Sequence, residues 1–303
     1  MRKVFFLFVF AFSLTFSPMG AQAQSTGFSV HSVWKALSHA APDGQWKVSN
    51  EYQRSFLVRY GYSASQDMGK LGPEIAGIYS RDQAELDRFL AQNGFADMRI
   101  TIPPGGAAVA AVLDVKVDWL VAGVPTEIYL NGVAYPAVQM DQNDNVAELY
   151  KTDHSLPIFS IQTMDKEWKV WLIEVKEGQY KPEDLTEYAV QFLNLKRERM
   201  SDYKKVRFPM VTLDAAVDIS QFKGLAAKST GFSIDEAVKQ IRLKLDDKGA
   251  RAQSAVAFST RSLSAPKEYV FERPFLVVFW KEGLALPVFV AYCDKDSWQD
   301  PGK

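Results

Sequence analysis

Residues 243–279 read LKLDDKGARAQSAVAFSTRSLSAPKEYVFERPFLVVF, and the fold turns on what joins the two apolar ends. Leu243, Lys244 and Leu245 alternate with the period of a half-buried strand. Phe275 to Phe279 is a continuous apolar run, as in a strand covered on both faces. After Gly249 the connection has neither glycine nor proline until Pro266. A proline would remove a ladder donor, so the stretch keeps every backbone N–H that a sheet requires. Its side chains alternate too. Ala250, Ala252, Ser254, Val256 and Phe258 share one parity, and Arg251, Gln253, Ala255, Ala257 and Ser259 the other, so the only charge between Ala250 and Thr260 stays off the apolar set. A structureless connection of this length is uncommon in a compact domain and tends to be functional.

Outward from this stretch, Val109–Leu120, Glu127–Met140, Pro157–Thr163, Trp168–Val175, Lys205–Leu213, Val238–Leu245, Tyr269–Trp280 and Pro287–Tyr292 are expected to form strands. They are rich in Val, Ile, Phe, Tyr and Trp and are separated by turn residues. A helix is expected from Pro182 to Arg199, with Leu185, Tyr188, Ala189, Phe192 and Leu195 on one face and Lys196-Arg197-Glu198-Arg199 as its solvated basic end. Before residue 98 the pattern is mainly helical: Val33–Ala41 is one amphipathic piece, and Asp82-Gln83-Ala84-Glu85 opens another that Gly94 stops. Helices first and strands afterwards predict an α+β domain with large mixed or antiparallel sheets.

The 303-residue chain opens with Arg2 and Lys3, an apolar run from Val4 to Phe16, and Ala21-Gln22-Ala23. This is the form of a signal peptide over residues 1–23, so export is expected, to the periplasm or the exterior. Cleavage would leave 33 basic residues against 36 acidic ones, which attracts neither nucleic acid nor an anionic membrane surface, and no later run is long enough to span a bilayer. The single cysteine, Cys293, excludes an internal disulfide and reads as a buried residue of the last strand. Catalytic constellations do not emerge. His31, His39 and His154 lack metal-ligand spacing, and HExxH, CxxC and G-x-S-x-G are absent. Gly105-Gly106 reads as a turn, and Asp82/Glu85 and Glu183/Asp184 as first-turn carboxylates that suit the helix dipole. The near-repeat of Ser25–Val30 in Ser229–Ile234 is not sustained beyond six residues, and Trp168–Val175 reads as a buried strand rather than a sugar platform. No enzyme activity, cofactor or metal is expected.

The C-terminal blocks carry a family resemblance. Lys205-Val206-Arg207-Phe208-Pro209-Met210 followed by Val217-Asp218-Ile219-Ser220, then Phe271-Glu272-Arg273-Pro274-Phe275 with its apolar tail, then Pro287-Val288-Phe289-Val290, resemble in order the corresponding segments of serpins. The resemblance covers roughly residues 110–293. It implies a serpin-like α+β fold in one domain over 24–303, with a reduced helical part (24–108) and a sheet-rich part (109–303). It also implies a hinge at Gly249, Ala250, Arg251, Ala252, Gln253, Ser254 and Ala255, and a reactive-centre loop after it. Counting 14 residues on from Gly249 puts the bait bond at Leu263–Ser264. Serpins trap a protease by letting it cut this loop, which then enters the central sheet as a new strand; the parity of 250–259 satisfies that requirement.

The expected function is therefore that of an exported inhibitor whose partner is a serine or cysteine protease that accepts a large apolar residue, met by a monomer. A non-inhibitory binding or structural protein of the envelope is the alternative. The chain is short before residue 110, which implies loss of flanking strands and of the helix that lies over the insertion sheet.

Overall fold

The computed structural model describes residues 25–143, 146–152, 157–178, 180–235, 237–250 and 267–302. Of the expected site, Arg251, Ala252, Gln253, Ser254, Ala255, Leu263 and Ser264 lie outside the described residues, as does the segment 1–23.

In chain order the elements are β1 (Thr26–Phe28), α1 (Val30–Ala40), β2 (Trp46–Lys47), α2 (Glu51–Leu71), β3 (Ile75–Ser80), α3 (Gln83–Gln92), β4 (Ala108–Leu113), β5 (Val117–Asp118), β6 (Val124–Leu130), β7 (Val133–Asp141), β8 (Ala147–Thr152), β9 (Ile158–Gln162) and β10 (Trp168–Glu174). They continue with α4 (Leu185–Asn194), β11 (Arg197–Arg199), β12 (Lys205–Pro209), β13 (Val211–Asp218), β14 (Ala226–Ala227), β15 (Val238–Leu245), β16 (Gly249–Ala250), β17 (Glu268–Val270), β18 (Phe275–Lys281) and β19 (Phe289–Cys293). The first three helices start at side-chain caps: Ser29, Asn50 and Asp82 each accept a first-turn N–H, from Ser32, Gln53 and Ala84.

One seven-stranded sheet runs β1-β19-β18-β10-β9-β8-β11, and a four-stranded sheet runs β17-β12-β7-β6. Neighbours in the first are antiparallel, whereas β12 and β17 in the second run parallel. This is the expected α+β arrangement. The continuous apolar runs form the middle of the seven-stranded sheet, where Val170, Leu172, Leu276 and Val278 are fully buried. Cys293 is buried in β19, and burial pushes its thiol up.

The structure departs from the sequence reading at several boundaries. Glu127–Met140 is a hairpin, β6 and β7, turned at Asn131 (φ 51°) and Gly132 (φ 82°), the left-handed pair a tight hairpin needs. Lys205–Leu213 breaks at Met210, whose N–H donates to Pro136 O while the chain passes from one sheet to another. Tyr269–Trp280 is interrupted between Val270 and Phe275. The helix expected to reach Arg199 ends at Asn194, and Arg197–Arg199 pairs with β8 as an edge strand. The Arg197 guanidinium lies 4.8 Å over the Trp171 ring and 5.7 Å over Tyr150, a cation–π attraction that helix geometry would forgo.

Two further strand pairs matter most for function: β3 with β4, and β13 with β15. The first lies between two helices. A Cβ on Gly77 would come within 2.7 Å of the His39 ring, so that face of β3 meets α1. On the other face Ala108 and Ala110 of β4 pack with Leu86 and Leu90 of α3. The expected loss of a covering helix is thus replaced by α3 and the segment after it.

Candidate functional site: a strand-wide groove under the hinge

Among the described residues β4 pairs only with β3, and β15 only with β13. Their other edges face one another across a groove of about 570 Å³ lined by β4, β15 and α1. Backbone donors and acceptors at an unpaired sheet edge are a template for another strand.

The upper end is closed by the turn from Asp246 to Gly249, where the sequence reading expects a hinge. Asp246 N donates to Gly249 O (3.1 Å), and Asp246 Oδ1 accepts from Lys248 N (2.8 Å) and Gly249 N (3.1 Å), which folds β15 back on itself. The returning pair, Gly249 and Ala250, lies antiparallel to β5 with Gly249 opposite Asp118 and Ala250 opposite Val117. Only glycine fits at 249. Its φ is 137°, and a Cβ there would lie 2.4 Å from Val117 O. Trp119 fixes the turn twice, donating N–H to Lys248 O (3.1 Å) and Nε1–H to Asp246 O (2.9 Å), and Gly123 N donates to Asp247 O at 2.7 Å. Gly249 and Ala250 are thereby fixed against β5 at the upper end of the groove.

The outer face is strapped. Phe95, Met98 and Ile100 join the apolar contact of α3 on β4, while Asp97 reaches the far side. Arg242 of β15 donates to Asp97 Oδ1 (2.8 Å) and Oδ2 (2.9 Å), to Asp214 Oδ2 (3.0 Å) and to Gly94 O, with its guanidinium 4.9 Å from the Phe95 ring. Gln240 adds a bond to Asp214 Oδ1 at 2.7 Å. The Arg242 hydrogen bonds hold the Asp97 carboxyl below its ordinary value. One half of the split sheet is thus clasped to the other by an ion pair in which a single guanidinium nitrogen reaches both carboxylate oxygens.

The inner face is apolar except at one point. Ile241, Leu243 and Leu245 of β15 are buried inward, and Lys239 shares their parity. Its Nζ donates to Ser29 O (3.2 Å) and sits 4.1 Å over the Phe28 ring. Burial lowers its pKa to about 7. Below the groove, buried His31 and Asp67 pair at 3.1 Å, and Asp67 also accepts from the N–H groups of Ala285 and Leu286. Desolvation keeps the His31 pKa low against the pull of Asp67. Fully enclosed, this dyad ties α1 and α2 to the 285–286 turn.

Of the sequence-expected hinge, Gly249 and Ala250 are thus placed, at the head of a groove one strand wide. Lys239, Arg242, Asp97 and Trp119 are functional candidates that the sequence reading did not single out. Parity alone offered a signal for Lys239, the one charge among the inward positions of an otherwise apolar strand face. No group of His, Cys, Asp and Glu able to hold a metal occurs among the described residues. No described helix is long and apolar enough to cross a membrane.

No family model matches the sequence, and no curated protein matches it. Solved structures do. Thyroxine-binding globulin in complex with thyroxine superposes with a TM-score of 0.60 at 12% identity, over 91% of this chain and 94% of that one. A serpin from the trematode Schistosoma haematobium gives 0.56 at 13% identity, over 91% and 95%. The thermophilic serpin Tengpin in its native state gives 0.58 at 14% identity, over 89% and 88%. A likeness that spans nine-tenths of the chain establishes that this protein has the serpin fold.

Proposed function

We propose that this protein is an exported, monomeric protease inhibitor of the serpin kind, acting in the periplasm or outside the cell. A serine protease, or a cysteine protease of like preference, cuts Leu263–Ser264, and the segment that follows Gly249 enters the groove as a strand. The observation that carries this reading is the hinge register. Continued residue for residue from Ala250 opposite Val117, it brings Ser254 opposite Leu113, Ala255 opposite Val112, Val256 opposite Ala111 and Phe258 opposite Val109. Residues directly opposite in an antiparallel pair point to the same face. Leu113 and Val117 belong to the inner face and pack with the main core, so Ala252, Ser254, Val256 and Phe258 turn inward while Arg251 and Gln253 turn out. The register and the sequence parity are independent, and they agree.

A large apolar residue before the cut suits chymotrypsin-like proteases, and incubation with a chymotrypsin-like and an elastase-like protease is the test. An adduct that survives SDS and disappears in Leu263→Asp is the expected result. Cleavage at 263 with no adduct would instead assign the groove to a binding protein that does not trap proteases.

A further inference from the structure

Lys239 poses a problem that loop insertion does not solve. Its ammonium has three donors, and in the structure one acceptor, Ser29 O at 3.2 Å, and one ring face, Phe28, receive it. Among the described residues no carboxylate forms an ion pair with it. The acidic residues lining the groove, Asp114 and Asp235, are exposed at its rim. A partly buried, desolvated charge without a counter-ion costs stability and persists where something compensates it. The chain's own loop brings none: residues 250–266 contain Arg251 and Arg261 but no aspartate or glutamate.

The surroundings narrow the missing partner. Val33 and Leu37 of α1, Phe222, Ile234 and Ile241 give the groove an apolar wall, and about 570 Å³ falls within the roughly 300–1,000 Å³ typical of small-molecule sites. An inorganic anion would satisfy the lysine and leave that wall wet. A neutral hydrocarbon would cover the wall and leave the lysine unpaired. One molecule meeting both needs has a single carboxylate and an alkyl tail. We propose that the groove between β4 and β15 binds a free medium-chain fatty acid, its carboxylate on Lys239 Nζ and its tail along the apolar wall formed with α1. The low lysine pKa agrees with a site that lacks its anion. Because the tail occupies the space a strand would take, such a ligand and the inserted loop exclude one another, although the binding itself needs no insertion.

Calorimetric titration of the intact, uncleaved chain with sodium decanoate below its micellar range tests this, with 1-decanol as the neutral match. Decanoate is expected to bind once per chain and at least about tenfold more tightly than decanol. Lys239→Met should weaken decanoate by about tenfold or more and leave decanol unchanged, while Lys239→Arg keeps decanoate. Methyl NMR shifts should centre on Val33, Leu37 and Ile241. Absence of decanoate binding, equal affinity for decanol, or undiminished decanoate binding by a folded Lys239→Met would overturn the proposal. Should that variant fail to fold, the decanoate–decanol contrast in the unaltered chain decides alone.

Discussion

At the residue scale, two positions show how backbone and burial set this molecule's behaviour. Gly249 combines a left-handed φ with an approach to Val117 O that leaves no room for a Cβ. Gly249→Ala is expected to cost about 1–3 kcal/mol and to loosen the groove's upper end, read as faster hydrogen exchange at the Trp119 and Gly123 amides that the turn carbonyls hold. Lys239 acts through protons. Its folded pKa of about 7 lies below the unfolded value of 10.5, so between those values the unfolded chain binds more protons than the folded one, and this residue makes stability rise with pH. Its penalty is fully present below pH 7 and gone above 10.5. Lys239→Met should therefore be the more stable of the two at pH 7, with the two proteins converging near pH 10.5. Parallel denaturation curves for the two across pH 7–10.5 would contradict that account.

At the element scale, the strap across the groove is the part most open to change. Asp97 is 62% exposed and Arg242 34%, so their pairing adds only about 0–1 kcal/mol to overall stability. Its effect on strand entry is of a different kind, since it joins the two halves that must part. Asp97→Asn is expected to leave unfolding nearly unchanged and to speed annealing of a synthetic 250–261 peptide several-fold, followed by native gel shift, with added salt giving the unaltered protein part of the same gain. Elements with strong patterning were legible in the sequence: β15 spans Val238–Leu245 as expected, and β10 and β18 show the buried runs expected of them. Elements fixed by tertiary contact were not. β11 is a charged edge held by Trp171 and Tyr150, so its three residues carry no apolar period. β3 is shaped around His39, which the glycine at 77 admits, and nothing local announces that neighbour. The turn at Gly249 was legible because it rests on one glycine and one acidic pair, whereas the clasp joins residues 97, 214 and 242, distant in the chain and unremarkable singly.

For the whole molecule, the decisive property is that its central sheet is divided. A strand entering between β4 and β15 gains partners on both sides, and the nine residues 251–259 span the length from Lys116 to Ala108 in the hinge register. At about 0.5–1.5 kcal/mol for each net hydrogen bond, even one bond per residue yields on the order of 5–13 kcal/mol before the ordering of the loop is subtracted. That is comparable with the stability of an ordinary domain. On the proposed mechanism, cutting Leu263–Ser264 would free the segment to enter, so the cleaved protein should melt at least about 10 °C above the intact one, given roughly 2–4 °C per kcal/mol for a chain of this size. Val256→Pro supplies the control. Its position falls opposite Ala111, where proline cannot donate to the ladder, so the same cut in that variant should leave the melting temperature nearly unchanged. If both cleaved proteins gain equally, the added stability arises elsewhere than in the groove; if neither gains, the halves are already at rest and the hinge is a turn without a mechanism.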